Sequence, residues 1–433
     1  MKSLIQPVKG TRDFYPEEMA MRTWLYEKIR KVSESFGYQE YEGPFLESIE
    51  LYAAKSGDEL VKEQSFVFPD RGGNLIALRP ELTPTLVRMV AQKQRQLAYP
   101  VRWWSFGPFW RYERPQKGRG REFFQWNIDL FGVDNPEADA EMVAIAASLF
   151  REVGLTSEHV KILVNSRRLI DAELAALGIP MEKRADVSRW IDRRAKLTPV
   201  AWEAQATSLG LKGDHISAIR GLLHNYEKWN ETDELRRFFA AVEAFDCRDY
   251  VTFDPNIVRG LDYYTGIVFE AVETDGDIRR SILGGGRYDD LLADVGGQPL
   301  PGVGFAMGDM VFTLLLEKLN LLPNFHNASP APILVTVFEE TLLHASFKLA
   351  TELRSSGLNV ISYPEAAKLR VQMKFADRAG VRIVVFLGPD ELKDNLLTMK
   401  DLSTGEQFSI SRDNAPEAIR LRLTSLSSAA NRV

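Results

Sequence analysis

The chain has 433 residues, of which 45% are hydrophobic and 26% charged, with a formal net charge of −6 and one cysteine, Cys247. That balance predicts two or three globular domains and excludes a disordered chain, a cysteine-rich zinc site and any intramolecular disulfide. The acidic total argues against an indiscriminate polyanion binder, whose affinity comes from excess Lys and Arg, but it leaves room for a locally basic face that meets a nucleic acid. Met1 to Lys9 lack the apolar run of a signal peptide and no segment has the length of a membrane span, so a cytoplasmic location without a membrane partner is expected.

The first helix is predicted from Pro16, a good first-turn residue, with Leu25, Ile29, Val32 and Phe36 on one face before Gly37 stops it. Gly37 to Glu47 reads as a short extended segment interrupted at Gly43-Pro44. From Pro100 to Glu113 the chain is crowded with aromatic residues, and from Phe124 to Leu130 it alternates strictly; both are strand patterns. Alternation sends Phe124, Trp126, Ile128 and Leu130 to one face and Gln125, Asn127 and Asp129 to the other, a polar face that demands an explanation. The connection from Arg114 to Arg121 is basic and turn-rich, so the pair reads as an antiparallel hairpin whose loop could meet an anion. A second helix starts at Asn135-Pro136, carries Met142, Ile145, Leu149 and Val153 on one stripe and ends at Gly154.

From about Ser166 to Asp249 the chain becomes helical and highly charged, the character of an inserted module. Within it Arg189, Arg193 and Lys196 share a face opposite Val187, Trp190 and Ile191; a solvated face and a nucleic-acid contact both remain open. Strand-like sequence returns at Ile257 to Val272 and at Ser281 to Gly285, and the run Gly284-Gly285-Gly286 reads either as a turn or as a close backbone approach. A helix with Val311, Leu315 and Leu319 on one stripe follows, and then Asn320 to Pro332 has the composition of a linker. Beyond it, Ile333 to Val337, Asn359 to Ile361 and Arg382 to Phe386 alternate with helices, which predicts a small parallel-type sheet with covering helices.

No phosphate-loop signature, no nucleophile elbow and no zinc spacing among the histidines is present. The chemistry-bearing set is instead a group of arginines, Arg111, Arg119, Arg121, Arg259 and Arg287, beside apparent strand ends or tight turns. Glu81, Glu113, Gln125, Asp129, Glu270 and Asp289 supply acceptors nearby in sequence. Interior charge of both signs suits a substrate carrying both ammonium and phosphate groups.

Arg111-Tyr112-Glu113-Arg114-Pro115-Gln116-Lys117-Gly118-Arg119, with Arg121 and Gln125 beyond, resembles the second signature motif of class II aminoacyl-tRNA synthetases in its histidine-specific form. Val258-Arg259-Gly260-Leu261-Asp262-Tyr263-Tyr264 and Gly284-Gly285-Gly286-Arg287-Tyr288-Asp289 resemble two signatures peculiar to histidyl-tRNA synthetases. The likeness extends over nearly the whole chain, including Lys9 to Asp13 and Leu78 to Thr83. It implies an α+β class II synthetase catalytic domain over residues 1–325, an antiparallel sheet flanked by helices, with a helical insertion at about 166–249. Residues 326–433 would form a C-terminal α/β anticodon-binding domain, in which Arg370, Lys374 and Arg378 make a basic stripe.

The activity implied is that of a histidine–tRNA ligase: ATP and L-histidine give histidyl-adenylate, and the histidyl group then passes to the terminal adenosine of tRNA(His). The resemblance also implies a homodimer, with the segment around Gly37 to Pro44 at the interface, and Mg²⁺ accompanying ATP, with no zinc and no metal site built by the protein alone. Arg111 and Arg259 would be catalytic, holding the α-phosphate and the histidine carboxylate, two anions that repel unless fixed positive charge keeps them in line. Glu81, Thr83 and Gln125 match positions that bind the substrate ammonium, while Asp129 and Tyr264, with Tyr263 beside it, match those that read the imidazole. Asp129 stands where glutamate is common. Arg111, Glu113, Arg119 and Arg287 are the expected ATP contacts.

One departure bears on ATP. The third motif of the family normally carries an arginine shortly after its Gly-x-Gly element, whereas here Gly302-Val303-Gly304-Phe305-Ala306-Met307-Gly308 leads into Asp309-Met310-Val311-Phe312. Arg119 or Arg287 is expected to supply the missing charge. The rival reading is a catalytically silent paralogue, like the regulatory subunit of ATP phosphoribosyltransferase, which resembles the catalytic domain but lacks the C-terminal one. Residues 333 to 426 argue against it and the altered third motif argues for it. Another class II synthetase, such as the prolyl or glycyl enzyme, leaves Arg259 to Gly266 unexplained.

Overall fold

The structure is a computed structural model that describes residues 4–53, 63–194, 197–258, 263–278, 280–325 and 329–430, the side chains of 425–430 excepted. The contacts divide it into two compact units, one running to Leu322 and the other from Pro323 onward, with the short stretch Phe14–Thr23 grouped with the second.

The strands of the first unit, in chain order, are β1 (Gln39–Glu40), β2 (Leu46–Ser48), β3 (Phe66–Pro69), β4 (Leu75–Leu78), β5 (Val101–Trp110), β6 (Glu122–Phe131), β7 (Val160–Ser166), β8 (Val251–Phe253), β9 (Ile267–Glu273), β10 (Leu283–Arg287) and β11 (Gly302–Gly308). Eight of them form one sheet in the order β1-β5-β6-β11-β10-β9-β7-β8. Its interior pairs are antiparallel, and only the edges, β1 on β5 and β8 on β7, run parallel. A separate antiparallel sheet has the order β2-β4-β3.

The two faces of β6 divide as the alternation predicts. Trp126, Ile128 and Leu130 join a core with Met142, Ile145 and Leu149 of the helix Pro136–Glu152. That helix starts where the sequence says it should, with the Asn135 side chain accepting a hydrogen bond from the Ala138 amide and Pro136 in the first turn. Each such aliphatic side chain contributes roughly 1.5–3 kcal/mol by leaving water, so this face fixes the sheet and turns Gln125, Asn127 and Asp129 the other way. The glycine run Gly284 to Gly286 is no turn: it lies inside β10, between β9 and β11.

Between β7 and β8 the chain builds a helical module, including the helices Met181–Asp192, Pro199–Ser208 and Gly213–Leu222, around its own apolar cluster. Trp190 and Trp202 stack at its centre with ring centroids 4.0 Å apart, and each indole N–H donates to the other residue's carbonyl, at 2.8 and 3.1 Å. Of the basic face expected here, Arg189 pairs with Asp186 at 2.6 Å and Lys196 lies outside the described residues.

The second unit contains β12 (Ile333–Val335), β13 (Val360–Ser362), β14 (Ile383–Phe386), β15 (Leu396–Asp401) and β16 (Gln407–Ser411), in the order β13-β12-β14-β15-β16. The first three are parallel, as the alternation of strand and helix predicts. Two further antiparallel strands, β15 and β16, extend the sheet beyond that expectation.

Candidate active site

The polar face of β6 opens on a cavity of about 450 Å³. All six residues expected to contact histidine, Glu81, Thr83, Gln125, Asp129, Tyr263 and Tyr264, line it, and so does Arg111. Backbone pairing explains much of this convergence. Within the sheet Gln125 lies opposite Gly308 and Asp129 opposite Gly304, so β11 presents glycine beside each of these side chains. A Cβ at Gly304 would collide with the Asp129 carboxylate, so the position requires glycine for space.

Asp129 is buried and accepts a hydrogen bond from the Tyr288 hydroxyl at 2.5 Å. Loss of hydration raises its pKa to about 7, against a smaller opposing effect of the Tyr288 bond. A carboxyl poised there can carry either charge state when an imidazole arrives. Tyr263 and Tyr264 are pushed above the usual phenol range, chiefly by burial, and stand as neutral hydroxyls. Arg111 donates through Nε to the Pro80 carbonyl at 2.9 Å and lies over the Phe123 ring. Its pKa is lowered by burial and partly restored by Glu81.

A second cavity, about 520 Å³, adjoins the loop between β5 and β6 and the first turn of the helix Asp309–Lys318. Arg111 and Ser281 line both cavities. Glu113 and Arg119 line the second and are paired with each other. Asp309, which occupies the altered third motif, accepts from the Phe124 amide at 2.9 Å and from Arg12 at 2.7 Å, so this residue ties β6 to the N-terminal segment.

Arg287 is placed otherwise than expected. It is buried, lines neither cavity, and donates from Nε to Asp139 at 3.1 Å, from Nη1 to the Val133 carbonyl at 3.0 Å and from Nη2 to the Asn135 carbonyl at 3.0 Å. Strand parity is the reason. Arg287 shares the face of Leu283, which packs in the core against the helix Pro136–Glu152, and that helix carries Asp139. Its guanidinium therefore joins β10 to the helix start and is turned away from both cavities. Arg259, with Gly260, Leu261 and Asp262, lies outside the described residues.

Several lining residues escape the sequence reading. Tyr288 belongs to a motif already singled out, but an aromatic beside arginine reads as packing; Ser281 likewise lines the cavity, next to Glu270, which the sequence does offer as an acceptor. Asp192 reaches it from the inserted module, and no local pattern signals that approach.

A family model described as histidyl-tRNA synthetase matches residues 10–309. The chain belongs to the histidyl-tRNA synthetase family. An anticodon binding domain model matches residues 332–422. Among histidyl-tRNA synthetase relatives, the histidine–tRNA ligase of Leptospira biflexa is 34% identical over 96% of this chain and 97% of its own length. That of Haloarcula marismortui is 37% identical over 93% of this chain and 95% of its own. The crystal structure of histidyl-tRNA synthetase from Nostoc sp. superposes with a TM-score of 0.82 at 25% identity, covering 98% of this chain and all of that one (100%). The eight-stranded sheet with its flanking helices is thus the class II synthetase catalytic fold, and the separate sheet of β12 to β16 belongs to the anticodon-binding domain.

Proposed function

We propose that the protein is a histidine–tRNA ligase whose two adjoining cavities hold histidine and ATP, with their reacting ends meeting at Arg111. The observation that carries this reading is the convergence of Glu81, Thr83, Gln125, Asp129, Tyr263 and Tyr264 on one cavity that shares Arg111 with the next. Glu81, Thr83 and Gln125 receive the α-ammonium, and Asp129 and Tyr264 the imidazole. A buried polar set of this kind rejects apolar amino acids, because a wrong side chain leaves its donors and acceptors unpaired.

Activation brings the histidine carboxylate against the α-phosphate of ATP, and the carboxylate oxygen displaces pyrophosphate. Arg111 stabilises the charge that develops between the two anions, acting in a partly dehydrated wall where a fixed cation is worth more than in water. Arg259 has the partner role by family likeness. Glu113 with Arg119 borders the phosphate region. No group of three or more His, Cys, Asp or Glu residues suited to a metal occurs among the described residues. The donors present fit a cation carried in on the nucleotide, and Mg²⁺ would supply neutralisation of the phosphates.

Transfer to tRNA(His) would use the anticodon-binding domain, residues 326–433, with 1–325 as the catalytic domain. The exposed apolar residues Leu46, Val67, Phe68 and Leu75 on the β2-β4-β3 sheet support a homodimer. Light scattering should then give about twice the 49.0 kDa chain mass, and a chain mass in dilute solution would remove that part of the proposal. The regulatory reading draws on the altered third motif alone and is opposed by the anticodon-domain match at 332–422. Histidine-dependent exchange of pyrophosphate into ATP, followed by acylation of tRNA(His), separates the two, since a regulator would bind histidine without exchange.

A further inference from the structure

The second cavity needs positive charge for a triphosphate, and most arginines around it are committed. Arg119 pairs with Glu113 and Arg12 with Asp309 at 2.7 Å, while Arg287, which lines neither cavity, is held by Asp139 at 3.0 Å. Lys318, on the neighbouring helix face, is held by Glu273, Asp277 and Asp275 at 2.6, 2.8 and 3.3 Å. Arg280 differs from all of these. It is half-buried, lines this cavity, and has no ion-pair or hydrogen-bond partner among the described residues.

Its backbone is well anchored. Ser281, the next residue, lines both cavities and donates to Glu270 at 2.7 Å, and the Ile282 amide donates to the Ala271 carbonyl at 2.7 Å. Arg280 therefore enters β10 close to the junction marked by Arg111. Val311, in the first turn of the helix Asp309–Lys318, lines the same cavity and follows the third motif, where the family's arginine is missing. A guanidinium at a cavity wall that lacks a counter-charge can take up an anion without breaking an existing pair, and an incoming polyphosphate would supply the missing partner through bidentate hydrogen bonds.

We propose that Arg280 binds the β- and γ-phosphates of ATP, so that the cation absent from the third motif is delivered from the start of β10. This rests on the reading of the second cavity as the ATP site.

Equilibrium binding of ATP and AMP to the full chain, together with histidine-dependent pyrophosphate exchange, tests it with R280A and R280K. In R280A the ATP Kd and KM should rise about 10- to 100-fold, while the AMP Kd and the histidine KM stay within about twofold, because AMP lacks the β- and γ-phosphates. R280K should fall between R280A and the parent, since it keeps the charge but loses the planar fork. An unchanged ATP Kd in R280A would overturn the inference, and so would equal weakening of ATP and AMP, which would mark a general structural loss. If the parent chain exchanged no pyrophosphate and bound no ATP, the ATP assignment itself would fall, a result distinct from an active parent with an indifferent R280A.

Discussion

Asp129 carries the sharpest conflict between stability and use. Its carboxyl has an ordinary pKa of 3.8 and a folded-state value of about 7, because burial penalises the charged form. Below pH 3.8 it is protonated whether the chain is folded or not, and it costs nothing. Between 3.8 and about 7 the unfolded chain has released the proton and the folded chain still holds it, so stability falls as pH rises through this window. Above it the loss is complete and constant. Asp129→Asn should therefore raise the melting temperature relative to the parent at pH 8 and leave it nearly unchanged at pH 4, while raising the histidine KM. Equal melting shifts at both pH values would contradict the burial argument. The sequence made Asp129 legible because strict alternation put it on the polar face of its strand. Arg287 lies away from both cavities although its motif says that it matters, since only the parity counted from Leu283 says where it points.

At the scale of elements, the site depends on how closely β10, β11 and β6 approach. A Cβ on Gly285 would stand 2.5 Å from the Phe305 Cβ and 2.8 Å from the Phe269 ring, and one on Gly304 would strike the Asp129 carboxylate. Gly304→Ala should thus destabilise the chain by about 1–3 kcal/mol in denaturant unfolding, the usual cost of overpacking, and displace Asp129 enough to raise the histidine KM. A variant with the parent's unfolding midpoint and KM would show that the strands yield easily. The hairpin of β5 and β6, the capped helix Pro136–Glu152 and the parallel part of the second sheet follow from short-range periodicity. β15 and β16 escaped it, although Leu397 and Met399 alternate with Thr398 and Lys400, because the preceding strand-helix pattern favoured a purely parallel sheet. The glycine run of β10 looks like a turn when read locally, since the neighbours that demand glycine come from β9 and β11.

For the whole molecule, likeness to the histidyl-tRNA synthetases spans both units, and the two family models meet near the Pro-rich segment that reads as a linker. What no local pattern could supply is distance across the chain: the approach of Asp192 from the inserted module to the first cavity, or the place on the second of Arg280, which has no ion-pair or hydrogen-bond partner among the described residues. In the proposed reaction both cavities work together around Arg111. Histidine-dependent exchange of labelled pyrophosphate into ATP measures that step without requiring tRNA. The parent chain should exchange only when histidine is present, and Arg111→Ala should lower the rate about 100- to 1,000-fold, the range for removing one fixed group that stabilises transition-state charge. Binding of histidine and ATP with no exchange in the parent, or undiminished exchange in Arg111→Ala, would contradict it.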